Sequence, residues 1–251
     1  MPRESGAMSS ATIAQPSAIQ VKGLYKSYGA GPVLHNLDLD VGWGERLVLF
    51  GGNGSGKTTL VKTLATLARP DAGQVQIAGW DCRRQGAMLR RSIGVVGHQP
   101  LLYEELTGYE NLRFYGRMYR VPQLDERIQL LAEMVGVAQQ LQARVRTLSH
   151  GMQKRLSLAR ALLHDPPVLL LDEPEAGLDQ KALERLDDVL ASKEGHPRAV
   201  LMTTHNVERG LALADRVAIL ARGRIAYQAE AKGLDVAAFR QTYNSYLGAA
   251  Q

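Results

Sequence analysis

The sequence predicts an α/β fold with a parallel-sheet core, an antiparallel β layer ahead of it and a helical subdomain at about residues 100–160. Residues Ile19 to Val41 alternate, most clearly where Asp38 and Asp40 separate Leu37, Leu39 and Val41, which is the period of a half-buried antiparallel strand. RLVLF (46–50) is apolar on both faces after its first residue, as a central strand of a covered parallel sheet is. VLLLD (168–172) and AVLMTT (199–204) supply further strands of that kind, with helical stretches between them.

The elements then follow in order. A glycine-rich loop comes after RLVLF, and KTTLVKTLATLA reads as a helix from the spacing of Leu60, Leu64 and Leu67. QVQIAG (74–79) and IGVVG (93–97) read as strands. Residues 104–142 read as mostly helical, interrupted at Val121-Pro122 and at Gly136. A helix over 149–163 follows, opened by Ser149 and carrying Leu156, Ala159 and Leu163 on one face. A helix over 179–192 precedes AVLMTT, and RVAILARGRIAYQ (216–228) reads as a hairpin about Arg222-Gly223. Residues 1–17, rich in Ser, Ala, Pro and Gly, read as a disordered tail, 18–231 as the folded domain and 232–251 as a C-terminal tail.

Composition narrows the function. With 45% hydrophobic residues in 251, the chain can build a sizeable core. Its single cysteine, Cys82, excludes an internal disulfide, and cytoplasm is the default compartment. The net charge of +5 is mild and comes from local clusters such as Arg83, Arg84, Arg90 and Arg91, so no nucleic-acid partner is expected. No apolar run approaches the roughly 18–20 residues that span a bilayer.

The chemistry is concentrated in a few stretches. GGNGSGKT, from Gly51 to Thr58, fits G-x-x-x-x-G-K-[ST] and sits between a buried strand and a helix, as a phosphate-binding loop must. In that reading the amides of Gly51, Gly52, Asn53, Gly54, Ser55 and Gly56 curl around the phosphates, Lys57 reaches the β- and γ-phosphates, the Thr58 hydroxyl binds Mg²⁺ and Thr59 donates to the α-phosphate. Asp172 ends a buried strand and is placed to hold Mg²⁺. Glu173 follows it and is placed to orient or deprotonate an attacking water, and His205 closes the third strand on the same rim.

The order of these motifs resembles the nucleotide-binding domain of ABC (ATP-binding cassette) ATPases over nearly all of residues 19–230. It rests on GGNGSGKTT, Gln99 after a strand, LSHGM (148–152), AGLD (176–179) and His205. The resemblance implies a P-loop NTPase with a RecA-like core that binds ATP and Mg²⁺ and hydrolyses ATP. It makes Gln99 the sensor of Mg²⁺ and γ-phosphate, Glu173 the catalytic base, His205 the switch histidine and Asp179 the residue coupling two sites. It further implies a homodimer in which Ser149 and Gly151 of one copy cap the γ-phosphate held by the other, and it makes Tyr28 the aromatic that stacks on adenine, with Tyr25 competing for that place. The signature departs from LSGGQ at His150 and Met152; His150 either faces solvent or adds charge near the phosphate.

A subunit of this type with no membrane span docks on separate membrane-spanning transporter subunits, at the cytoplasmic face of the membrane. The docking surface would lie in PLLYEELTGYENLRFYGRMY (100–119), dense in aromatics, where helix core is the competing reading because Leu112, Tyr115 and Tyr119 share a face. This stretch, with RVRTLSHGMQKRLSLARALLHDPPVLLLDEPEAGLD, is similar to the ATP-binding subunits of bacterial heme exporters of cytochrome c maturation. The alternatives are another exporter, of drug, lipid or polysaccharide, or a soluble ABC ATPase acting on DNA or ribosomes. A P-loop kinase would leave LSHGM and AGLD unexplained.

Overall fold

Two sheets organise the chain in the computed structural model, which describes residues 17–29, 31–175, 178–191 and 198–248. The expected tail at 1–17 lies outside these residues except for Ser17, as do Ala176 and Gly177 of the AGLD stretch.

The first sheet is antiparallel, in the order β2-β1-β4-β5. It comprises β1 (Ile19–Tyr28), β2 (Gly31–Val41), β4 (Ala72–Ile77) and the two-residue β5 (Trp80–Asp81). Its alternation is that of the sequence, since Leu37, Leu39 and Val41 are buried while Asp38 and Asp40 are exposed.

The second sheet has the order β10-β9-β3-β8-β7-β6. Its members are β3 (Arg46–Phe50), β6 (Ile93–Val96), β7 (Val168–Asp172), β8 (Ala199–Thr203), β9 (Arg216–Ala221) and β10 (Arg224–Glu230). All its pairings are parallel except β9 with β10, which turn through Arg222 and Gly223 at φ 50° and 72°. Two consecutive left-handed residues match the twist of a two-residue hairpin. β7 and β8 are buried along their whole length, as their uninterrupted apolar runs require.

Side chains leave this sheet alternately to two hydrophobic bodies. Leu47, Leu49, Leu170 and Leu201 pack toward the antiparallel layer and α1 (Lys57–Leu64). Val48, Phe50, Leu171 and Met202 pack on the other side, in one body with helices α3 (Gly108–Tyr119), α4 (Leu124–Val135) and α5 (His150–Leu162). α5 lies close on β6, where a Cβ on Gly94 would stand 2.4 Å from the carbonyl oxygen of Ala161. The short helix α2 (Gly86–Arg91) leads into β6, and α6 (Gln180–Ala191) and α7 (Val207–Leu213) flank β8 in sequence.

Helix ends follow local chemistry. Thr107 caps α3 in a capping box with Glu110, so helix begins at 108 and not at 104. The fully buried Asn111 accepts the Tyr103 amide hydrogen at 2.8 Å and donates to the carbonyls of Tyr103 and Thr107, which fixes the loop after Gln99. α3 and α4 are separated at Val121-Pro122 and α4 ends at Gly136, as expected. α1 ends at Leu64 instead of running to 68, because Thr66 turns left-handed at φ 59° and the Leu67 amide closes back on the Lys62 carbonyl.

The 232–251 segment is corrected more substantially. Residues Val236–Gly248 form a helix, α8, and bury Phe239 and Tyr243 in the body that contains Phe50.

Candidate functional site

After Phe50 the chain turns through Gly51–Gly56 and enters α1 at Lys57. Gly54 and Gly56 take φ of 76° and 110°, which side chains with a Cβ rarely adopt. Gly56 offers no side-chain cap and the first turn of α1 has no acid, so that turn's amides remain open to an anion. Lys57 is buried, and its ammonium folds back to donate to the carbonyls of Gly51 at 2.6 Å and Gly52 at 3.1 Å. Burial pushes its pKa down, and the charges of Glu173 and Asp172 pull it up. Ser55 Oγ is buried with no hydrogen-bond partner. Open helix amides, an orphaned hydroxyl and a buried cation form a donor set that fits a polyphosphate.

The acids stand on neighbouring strands. Asp172, the last residue of β7, is buried and accepts from Thr203 Oγ1 at 2.7 Å. Glu173 adopts φ 46°, a strained conformation for a residue with a Cβ, and its amide donates to Thr203 Oγ1 at 3.0 Å and to the Thr203 carbonyl at 3.2 Å. His205 is open to solvent, its side chain 68% exposed, with Nδ1 3.8 Å from Glu173 Oε2. Thr204 donates to Glu175 Oε1, whose other oxygen is buried and unpartnered. Thus Lys57, Asp172, Glu173 and His205 gather beyond the carboxyl ends of β3, β7 and β8, which are adjacent in the sheet.

The remaining sequence-predicted residues surround this centre at different distances. Gln99 is exposed on the loop after β6, and Thr58 is exposed on α1. Tyr28 is 52% exposed at the end of β1, with the Lys26 ammonium 4.9 Å from its ring centre. Tyr25 packs edge-on to His35 at 5.7 Å, which leaves Tyr28 as the open ring of the pair. Ser149 is the N-cap of α5, its Oγ accepting the Met152 amide hydrogen at 3.3 Å. Among the described residues no hydrogen bond joins Ser149 or Gly151 to the 51–58 loop of the same chain. Asp179 accepts the Ala182 amide hydrogen at 2.9 Å and pairs with Arg155 of α5 at 2.6 Å, tying the start of α6 to the signature helix.

Several residues of this region escaped the sequence reading. Thr203 looked like one more strand position. Gln153 donates to the carbonyls of Val145 and Leu148 at 3.1 Å each, bracing the chain ahead of Ser149. Lys154 donates to the Gly97 carbonyl at 3.1 Å, two residues before Gln99, and senses Asp172, Glu175 and Glu173 electrostatically. A basic residue on the second turn of the signature helix was the only available signal. Met152 is half-buried and packs on the larger hydrophobic body, and His150 is exposed.

Comparison with known proteins agrees with this geometry. The profile of the ABC transporter family matches residues 34–176. A daunorubicin resistance ATP-binding protein of Streptomyces coeruleorubidus is 40% identical over 211 residues, covering 83% of this chain and 67% of the relative. A Nod factor export ATP-binding protein of Rhizobium johnstonii is 36% identical over 211 residues, covering 83% of this chain and 68% of the relative. Among solved structures, an ATP-binding subunit of an ABC transporter superposes with a TM-score of 0.83 at 27% identity, covering 91% of this chain and 100% of that one. A dimeric ATP-binding cassette in a post-hydrolysis state, bound to ADP and Pi, gives a TM-score of 0.77 at 27% identity over 86% of this chain and 100% of that one. The expectation of a heme exporter is corrected by these relatives, whose names come from drug resistance and Nod factor export.

Proposed function

Since the chain belongs to the ABC transporter family, we propose that it is the ATP-hydrolysing subunit that powers a membrane exporter, with a drug or a Nod-factor-type molecule as the class of cargo. The names of its relatives support that cargo class over heme. Among the described residues no helix is long and apolar enough to cross a membrane, and in this reading separate membrane-spanning subunits supply the translocation path. Docking at the cytoplasmic face of the membrane is supported by α3 and the loop before it. There Tyr103 of the loop and Phe114 of the helix meet edge-on at 5.2 Å and remain half-exposed, as does Met118, whereas Leu112 is core and Tyr115 spends its hydroxyl on the Leu101 carbonyl.

The observation that carries the reading is the convergence of Lys57, Asp172, Glu173 and His205 on one sheet edge. In the mechanism, the amides of the 51–56 loop and Lys57 hold the β- and γ-phosphates, and Thr59 donates to the α-phosphate. Thr58 and Asp172, with Gln99, would hold Mg²⁺, which neutralises charge on the phosphates when bound. Glu173 orients and deprotonates the attacking water, helped by the strained backbone that aims its side chain across from His205. Tyr28 stacks on adenine. Ser149 and Gly151 reach the γ-phosphate of a second copy, closing a head-to-tail dimer that hydrolysis reopens, and Asp179 couples the two sites.

Two measurements test this. Purification of the native complex from membranes should bring down a membrane-spanning subunit; recovery with ribosomes or DNA in a salt-sensitive form instead rejects the exporter reading. Glu173→Gln with ATP should elute as a stable dimer; a monomer under saturating ATP rejects the shared site.

A further inference from the structure

Beneath the 51–58 loop lies α8, the helix that the composition of 232–251 did not announce. Phe50, the residue before Gly51, meets Phe239 edge-on with ring centres 5.0 Å apart and meets Tyr243 at 5.9 Å. Tyr243 is 7% exposed, and its hydroxyl lies beside the Gly51 backbone. Burial raises the pKa of that phenol, the Gly51 contact lowers it, and the charge of Glu173 raises it again. One turn further on, Leu247 Cδ2 stands 2.7 Å from where a Cβ on Gly52 would be. Gly52, Ser55, Leu220, Arg222, Tyr246 and Leu247 wall a cleft of about 160 Å³ between helix and loop.

A loop rich in glycine has many conformations to lose on meeting a phosphate. Donors aimed in advance at the ligand avoid that loss, and their aim depends on the side chains that pack behind them. Here the packing comes from α8. We propose that Tyr243 and Leu247 are positioning residues of the phosphate loop, holding residues 51 and 52 in the shape that receives ATP. The C-terminal helix is thereby part of what shapes the nucleotide site. The inference rests on the reading of 51–58 as the phosphate cradle.

The test uses the full chain. Tyr243→Phe keeps the ring against Phe50 and removes only the hydroxyl. It should raise KM for ATP, and Kd for a fluorescent ATP analogue, roughly 2- to 10-fold, the size of one lost polar contact behind the loop. Turnover at saturating ATP should stay within about twofold, a split between KM and kcat that loss of packing alone would not produce. Leu247→Ala, which opens the contact over Gly52, should weaken nucleotide binding in the same direction. If both variants bind the analogue and show KM within about twofold of the parent chain, the inference is overturned. Lys57→Ala separates this from failure of the cradle itself: should it bind nucleotide normally, the cradle reading falls. Should it lose nucleotide while Tyr243→Phe and Leu247→Ala bind as the parent does, only the role of α8 falls.

Discussion

Thr203 Oγ1 joins the two acids of the site, donating to Asp172 Oδ1 at 2.7 Å while accepting the amide hydrogen of Glu173 at 3.0 Å. One hydroxyl on β8 therefore sets both the carboxylate that ends β7 and the strained residue after it. Thr203→Val is nearly isosteric and leaves a buried carboxylate oxygen short of a donor, so it should cost about 1–3 kcal/mol of stability. ATP turnover should fall roughly 10- to 100-fold through misplacement of Glu173. Thermal melts and steady-state ATPase assays read the two effects; unchanged turnover would mean that Glu173 keeps its aim without Thr203.

Ser149 has two jobs that substitution can separate. It caps α5 within its own chain, and the proposed dimer needs it at the partner's γ-phosphate. Ser149→Gly costs a cap only a few tenths of a kcal/mol, whereas Ser149→Ala costs about 1 kcal/mol. Both should lose ATPase activity to a similar extent, and only the alanine variant should melt noticeably lower. Activity that follows the melting temperature would assign Ser149 to the cap alone.

Gly94 marks a close approach of α5 to β6. A Cβ there would sit 2.4 Å from the Ala161 carbonyl oxygen and 2.8 Å from both Pro166 Cγ and Leu169 Cδ2. The first of these neighbours is backbone and cannot rotate away. Gly94→Ala should destabilise the protein by about 1–3 kcal/mol, seen as a Tm lower by about 2–4 °C for each kcal/mol. An unchanged Tm would mean that the helix can lift from the sheet at no cost.

His164 lies just past α5, stacked on Tyr119 with ring centres 3.9 Å apart and planes 7° from parallel, and its Nε2 faces the Ile93 carbonyl at 3.1 Å. Burial pushes its pKa down to about 4, partly opposed by the Ile93 contact; nearby Arg160 and Arg127 lower it and Asp165 raises it. Between the ordinary value of 6.5 and about 4, the unfolded chain binds a proton that the folded chain refuses. Stability from the neutral ring is therefore complete above pH 6.5 and lost as pH falls through that window. His164→Phe keeps a ring on Tyr119 and has nothing to protonate. Its Tm should fall less between pH 7.5 and pH 5 than that of the parent chain, and an equal fall in both would refute the assignment.

Much of this was legible from residue order. The buried strands show themselves because a strand covered on both faces has no polar period, and the 51–58 loop because so many glycines between a strand and a helix need a ligand to explain them. Other features have no such signature. Thr203 sits in a run whose other members are core, and only its neighbours on a different strand give it a role. β5 owes its two residues to pairing with β4. α8 was hidden by polar residues between its contacts, although Phe239, Tyr243 and Leu247 recur every four positions along one helical face. Among the described residues the expected cap on the γ-phosphate, Ser149, bonds only within its own helix, and the dimer proposed for it lies beyond what residue order in one chain can display.

The partition of the core by the second sheet has a consequence for combined substitutions. Leu112 of α3, Leu156 of α5 and Phe239 of α8 share one hydrophobic body, while Leu24 and Leu60 belong to the other. Pairs taken from the same body can relax into one another's voids, so their energetic effects should depart from simple addition, whereas pairs drawn from opposite sides should sum. Epistasis in this protein would then follow the sheet as a watershed. A change in α3 would be felt at the far C-terminal helix sooner than in the antiparallel layer.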